Sequence, residues 1–315
     1  MKKIKDFSPT DTATLVVRLA DVQIRKTSSN ADYASMLAFD GVDTIDAKIW
    51  AFTDEIKEKL VSGEVYVASG RMKEYQGKMQ FNITDIRLIT EEDDIDLSQF
   101  YEFAKIEVDK LQDLITGYIN KIENKVLKDI TIGLLKKHYT KFFWHPAAVN
   151  MHHNYYSGLA YHTYSMLKLS DAFLELYSFF NRDLVYAGII LHDIGKVIEL
   201  SGPKGTEYTK KGNLIGHLVI SSNEIYKIAT ELGYENTDEV IALIHIVLSH
   251  HGKLEYGSPK EPMIPEAILV HLLDNADSKI ASIEREVTNT EKGDFTNMIN
   301  TFRKSLYIPN IKNDR

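Results

Sequence analysis

Near residue 90 the hydrophobic period of this chain changes, and that change limits its folds more than any other feature. Before it, apolar and polar residues alternate through short runs rich in β-branched and aromatic side chains. These runs are ATLVVRLADVQIR, YASMLAFDG, DTIDAKIWAF, GEVYVASGRMKEY and KMQFNITDIRLI. A period of two turns one face of a strand inward. Gly41, Gly63, Gly70 and Gly77 fall between or within the runs as turns or bulges. A helical insert, TDEIKEKLV, separates the third run from the fourth. Beyond EEDDIDLSQF, an acidic stretch over 91–100 that reads as a linker, apolar residues recur every three to four positions. IEVDKLQDLITGYINKI, LKDITIGLLKKHY, LAYHTYSMLKLSDAFLELYSFF and RDLVYAGIILHDIGK all follow that helical spacing. So do HLVISSNEIYKIATELG, TDEVIALIHIVLSHH and PEAILVHLLDNADSKIASIEREV.

A chain of 315 residues is long for one core, so more than one domain is expected. Three strands, a short helix and two more strands is the order of a five-stranded Greek-key barrel, the OB-fold. The reading is multidomain: a small all-β OB-fold barrel over 1–90, followed by an all-α domain. An acidic linker with connecting helices spans 91–138, the α domain 139–290 and a tail 291–315. With no Cys, thiolate metal sites, disulfides and cysteine nucleophiles are excluded, and a reducing cytoplasm fits. The N-terminal MKKIKDFSPTDTATL has no apolar core of a secretory leader, and no run spans a bilayer, so no membrane role is expected. A net charge of −8 argues against indiscriminate coating of nucleic acid but permits a local basic groove.

All eleven histidines lie at or after His138. His162, the adjacent His192 and Asp193, His217, and the pair His250 and His251 interrupt apolar stretches. Asp274 and Asp277 stand on consecutive turns of the apolar LVHLLDNADSK. Any one of these is more simply a core residue bonded to a carbonyl, but together each would need its own partner. A divalent cation satisfies them at once, and mixed imidazole and carboxylate donors suit Mn²⁺, Fe²⁺, Co²⁺ or Zn²⁺. On one helix His192 and Asp193 would point about 100° apart and still reach a dinuclear site, with the carboxylate bridging. Hydrolysis of a phosphate ester fits such a site, since two cations need no protein nucleophile. No GxSxG or HExxH motif is present.

The order His, then His-Asp, then a distant Asp resembles the HD-domain superfamily of metal-dependent phosphohydrolases. That likeness assigns the metal to His162, His192, Asp193 and Asp274, the last being the first acid of an Asp-x-x-Asp pair. His217 and His250 match the version of the superfamily that binds a second ion, and His251 would ligate or contact phosphate. Asp277 would support a ligand or touch substrate. Lys196, in HDIGK, would act with Asp193 in catalysis by stabilising charge on the phosphorane or a phosphate oxygen, with Gly195 keeping the approach open. His152 and His153, in a lead-in similar to that of related HD enzymes, would line the substrate entrance. His245 reads as structural, His271 as a support of the site, and His138 and His145 carry no assignment.

OB-folds commonly bind single strands by stacking bases in a basic groove. Candidates are Arg25 and Lys26 in the loop after the first run, and Arg71, Lys73, Tyr75 and Lys78 around KEYQGK. Tyr33, Trp50 and Phe81 could stack bases or fill the core. An OB module followed by an HD module resembles the YhaM-like bacterial 3′→5′ exoribonucleases, most closely in AAVNMHHNYYSGLAYHT, GIILHDIGKVIELSGP and LSHHGKLEYGSPK. The likeness implies stepwise release of nucleoside 5′-monophosphates from single-stranded RNA, and from single-stranded DNA as well. Metal-bound hydroxide would attack the terminal phosphodiester, with two ions, Mn²⁺ first and Co²⁺, Fe²⁺ or Zn²⁺ as alternatives. Lys253 and Tyr256 would lie near the scissile nucleotide. The helices at 105–138 and the tail are candidate surfaces of a homo-oligomer.

Two rivals stand beside this reading. HDIGK with HH also resembles HD-GYP domains that open cyclic dinucleotides, but GKLEYGSP follows His251 in place of their Asp-Gly-x-Gly-Tyr-Pro. A non-catalytic OB-type nucleic-acid-binding protein is the other.

Overall fold

The computed structural model describes residues 2–53, 56–57, 60–148, 155–204 and 206–311. One compact unit comprises Met1–Glu102 with Lys204–Thr206, and the other Phe103–Pro203 with Glu207–Arg315.

In the first unit β1 (Thr12–Lys26), β2 (Asp32–Phe39), β3 (Thr44–Ile49), β4 (Val65–Tyr75) and β5 (Lys78–Leu88) form a closed barrel in the order β1-β2-β3-β5-β4. Neighbours are antiparallel except β3 and β5, which run parallel. This is the OB-fold order, and the alternating residues Leu15, Val17, Leu19, Met36, Met72 and Phe81 fill its interior. Gly70 sits at a bulge of β4, where a Cβ would lie 2.2 Å from the Asn82 carbonyl oxygen. Of the insert between β3 and β4, Ile56 and Lys57 are described, and both are helical.

Two expectations need correction here, and one open alternative is decided. Arg25 and Lys26 are not in a loop: β1 runs on through them, pairing Arg25 with Tyr33 and Lys26 with Asp32, which also form a 3.1 Å ion pair. Phe81 is fully buried in the barrel core and offers no face to a base. The acidic stretch 91–100 is not a patternless connector. Asp93 accepts two hydrogen bonds from Arg87 at 2.7 and 2.8 Å, Phe100 and Tyr101 are buried, and the Tyr101 hydroxyl donates to the Gly63 carbonyl at 2.7 Å.

The second unit is helical: α1 (Val108–Lys121), α2 (Lys125–Trp144), α3 (Gly158–Leu176), α4 (Arg182–Leu191), α5 (Lys196–Glu199), α6 (Lys210–Ile215), α7 (His217–Leu232), α8 (Asp238–Ser249) and α9 (Pro265–Thr288). From Leu184 to Leu191 every residue of α4 is buried, as befits a helix apolar on all sides. It packs against α1, α2, α3, α8 and α9, so whatever leaves its C-terminus emerges in the middle of the unit. Asn181 caps its start, accepting the Leu184 N–H at 3.0 Å. Among the described residues no helix is long and apolar enough to cross a membrane.

Candidate metal centre

The HDIGK segment is not helix throughout, which alters the expected placement of its polar pair. α4 stops at Leu191, and His192–Gly195 form a tight turn closed by Ile194 N–H to Leu191 and Lys196 N–H to Asp193 bonds of 3.2 and 2.9 Å. The cause is visible in His192, whose Nδ1–H donates to the Ile189 carbonyl at 2.7 Å, one of the carbonyls a helix end leaves free. The second polar pair repeats the device. His250 follows the last residue of α8 and its Nδ1–H donates to the Val247 carbonyl at 2.8 Å. His217 instead opens α7, and His162 lies inside α3 facing Asp274 and Asp277 of α9.

Every imidazole of the cluster commits Nδ1 to a protein acceptor. His162 bonds Asp277 at 2.6 Å, His217 bonds Glu199 at 3.0 Å, and His251 bonds the Tyr256 carbonyl at 3.1 Å. That turns each Nε2 away from its orienting partner, the arrangement metal-binding histidines adopt, with His162 Nε2 3.3 Å from Asp274 Oδ1. The five rings follow one another at centroid distances of 5.3 Å (His162 to His192), 4.9 Å (His192 to His250), 4.6 Å (His250 to His251) and 5.1 Å (His251 to His217).

Asp193 sits at the middle. Its Oδ2 lies 2.7 Å from Lys196 Nζ and 3.2 Å from His192 Nε2; its Oδ1 lies 3.4 Å from His217 Nε2 and 3.6 Å from His250 Nε2. Two triads therefore offer donor atoms within 4.8 Å of one another: His162, His192 and Asp193, and His217, His250 and His251. His192 Nε2, Asp193 Oδ1 and His217 Nε2 are buried and hydrogen-bonded to nothing. Three orphaned donors converging on one spot are costly without a partner. A divalent cation fits them, and oxygen with imidazole donors is the chemistry such ions accept.

The electrostatics are those of charges held together out of water. Burial resists ionisation of Asp193, yet Lys196 and His192 hold its carboxyl well below the usual range. Burial likewise opposes the charged Lys196, and Asp193 outweighs it and raises the ammonium. His162 is raised to about 10 against its burial, because Asp274 and Asp277 both face its ring. His250 has no such excess of acid, and burial takes it down to about 4.

One further residue falls differently from its expected place. Gly195 does not open an approach: a Cβ there would meet the His217 carbonyl oxygen at 2.5 Å and Ser221 Oγ at 2.6 Å, so its bareness lets α7 pack against the turn. Lys196 is no surface lysine, its side chain being 15% exposed. His245 accepts the Met263 N–H, and His271 Nδ1–H donates to the His250 carbonyl at 2.7 Å beneath Gly252. His138 bonds Glu224. Lys253 and Tyr256 are exposed on the turn whose backbone holds His251, the ammonium 5.8 Å from the ring centre. His152 and His153 lie outside the described residues. Glu199, behind His217, had no place in the sequence reading; its signal was an acid within the apolar VIEL.

A helical unit that gathers His, His-Asp, His, His and Asp in this way is of the HD type, and the HD domain family matches residues 159–279. The chain belongs to the YhaM family of 3′-5′ exoribonucleases. It is 43% identical over 283 residues to the 3′-5′ exoribonuclease YhaM of Geobacillus sp. (strain WCH70), covering 90% of this chain and 87% of that one. Solved structures resemble it over a smaller part. A domain of replication protein A from Methanococcus maripaludis covers 28% of this chain and 93% of its own at 20% identity and TM-score 0.24. The mitochondrial single-stranded DNA-binding protein Rim1 of S. cerevisiae covers 26% and 97% at 12% and 0.22. Likenesses of that size add nothing to the strand order, which defines the barrel by itself.

Proposed function

We propose that this protein is a metal-dependent 3′→5′ exoribonuclease that releases nucleoside 5′-monophosphates from single-stranded RNA and also accepts single-stranded DNA. The observation that carries the reading is Asp193, a buried carboxylate with one oxygen toward His217 and His250 and the other toward His192 and Lys196. In this reading His162, His192, Asp193 and Asp274 hold one cation, and His217 and His250, with His251 beside them, the second. Asp193 lies between the two. Two such ions, Mn²⁺ foremost, would activate water and neutralise charge on the scissile phosphate.

The residues of the chain do the rest. Lys196 offers its ammonium at the rim of the cluster, where it is suited to a phosphate oxygen as negative charge builds. Asp277 keeps the proton of His162 on Nδ1 and so leaves Nε2 a donor to the cluster. Lys253 and Tyr256 supply a cation and a ring face for the terminal nucleotide.

On the barrel, support for single-strand binding comes from a patch centred on Lys48. Its ammonium lies 5.2 Å from the Trp50 ring, 5.7 Å from Tyr75 and 6.0 Å from Tyr33. Tyr33 and Trp50 stack at 4.7 Å, and Trp50 Nε1–H donates to Asn82 at 3.0 Å, so the indole is held while half exposed. Arg71 and Lys73 precede Tyr75 on the same strand, and Lys78 faces Tyr75 across the hairpin.

The test is a Mn²⁺-dependent assay on 5′-labelled RNA. Wild type should give a ladder shortening from the 3′ end, and Asp193→Ala should give none. A variant as fast as wild type, or turnover of free cyclic dinucleotides in preference to RNA, would overturn the assignment.

A further inference from the structure

Glu199 is the one buried carboxylate beside the cluster that the reading above leaves without a role. It ends α5 within the run Val197, Ile198, Glu199, Leu200 and is 7% exposed. Its Oε1 accepts the His217 backbone N–H at 2.9 Å and the His217 Nδ1–H at 3.0 Å, while Oε2 also lies 3.0 Å from that nitrogen. The residue is fixed from behind as well. Its carbonyl accepts the Thr209 N–H at 2.8 Å, and Gly212 presses so close that a Cβ there would sit 2.3 Å from the same oxygen.

From this geometry we infer that Glu199 is a positioning residue for one of two cation half-sites, aiming His217 Nε2 at His250 and His251. The inference rests on the cluster being a two-cation centre. His192 and His250 are oriented by main-chain carbonyls, which carry no charge. His162 and His217 are oriented by the carboxylates of Asp277 and Glu199. A carboxylate partner both locks the tautomer and makes the opposite nitrogen a stronger donor. The two triads thus contain one carboxylate-backed imidazole each, and Glu199 serves only the triad of His217, His250 and His251. Losing it should weaken one ion and spare the other.

The experiment is a Mn²⁺ titration of the full-length protein by calorimetry, with bound metal counted after dialysis. Wild type should bind two ions. Glu199→Gln, which keeps the shape and removes the charge, should bind one ion about 10- to 100-fold less tightly and the other nearly as before. Glu199→Asp should recover part of the loss. Melting in EDTA guards against a purely structural effect: the inference requires Glu199→Gln to melt as wild type does without metal. Where Glu199→Gln does not fold, Glu199→Asp carries the test by weakening the same single ion to a smaller degree, and a double variant asks whether Glu199 acts through His217. His217→Ala should lose the same ion, and adding Glu199→Gln to it should cost no further affinity.

Two wild-type-like sites in Glu199→Gln, equal weakening of both, or additive losses in the double variant would overturn the role of Glu199 and leave the nuclease reading intact. A wild type that binds no Mn²⁺ would instead overturn the metal centre itself.

Discussion

At the scale of single residues, the sharpest expectation concerns the two charges that meet at Asp193 and Lys196. Asp193→Ala takes the carboxylate from the triad of His162 and His192, and the oxygen that faces His217 and His250 in the other, and with it the charge stabilisation that bound ions give, several kcal/mol. RNA hydrolysis should fall by more than about a hundredfold, with bound Mn²⁺ falling alongside. Lys196→Met should separate the two quantities, because the lysine touches Asp193 and its ammonium is no metal donor, while in the proposed function it meets a phosphate oxygen. Its kcat should drop by about 10²-fold while bound Mn²⁺, counted after dialysis, stays near the wild-type value. Equal losses of metal and rate in Lys196→Met would make it a support of Asp193 and nothing more. The acids and imidazoles that meet here were legible in the sequence because each interrupts an apolar stretch and all fall in the helical half. Glu199 interrupts an apolar run as well, but its role was not legible, since its partner His217 stands eighteen positions away and only the fold brings the two together. The direction of each ring was equally hidden, because a carbonyl three residues back, as at Ile189 and Val247, leaves no trace in residue type.

At the scale of elements, the turn between α4 and α5 is held by close approach to α7, and Gly195→Ala tests that contact. The new Cβ would meet backbone at 2.5 and 2.9 Å, which a side-chain rotation cannot relieve. Overpacking of this kind costs about 1–3 kcal/mol, so urea unfolding should shift to lower midpoint, and Mn²⁺ should bind less tightly because His217 moves with α7. The pattern of apolar residues announced helices on both sides of this turn but could not show that the first ends at Leu191, since His192 and Gly195 keep near-helical backbone angles. A second element contact is titratable. Glu224 on α7 is buried, which resists its charge, yet Lys137 and His138 of α2 and its neighbour Lys227 bring its carboxyl down to about 2 from the ordinary glutamate value of 4.5. A depressed carboxylate gives its full stabilisation above 4.5 and surrenders it as pH falls through the folded value. Glu224→Gln should therefore show a smaller loss of melting temperature than wild type on acidification through that window. Parallel curves for the two proteins would contradict the linkage.

At the scale of the whole molecule, the proposed function divides the work of binding a strand from that of breaking it. The barrel contains no histidine, and one patch of it gathers Lys48 with Tyr33, Trp50 and Tyr75; the helical unit holds all the donors of the cluster. The strand order was readable in advance because each run alternates and each break carries a turn residue. Which aromatics face outward was not, for Phe81 and Trp50 both stand in or beside alternating runs and only the closed barrel buries one and exposes the other. The division predicts a separable defect. Trp50→Ala removes a half-exposed ring whose loss opens no cavity in the core, and a stacked base is worth about 1–3 kcal/mol. KM for a long single strand should rise by roughly tenfold, the lower half of that range, with kcat little changed. Hydrolysis of bis-p-nitrophenyl phosphate, too small to reach a stacking surface, should proceed at the wild-type rate. Lys48→Ala should raise KM in the same direction and flatten its dependence on salt, since one fewer cation meets the phosphate backbone. An equal slowing of the small ester and the long strand would tie the barrel to the chemistry itself and end the idea of divided labour.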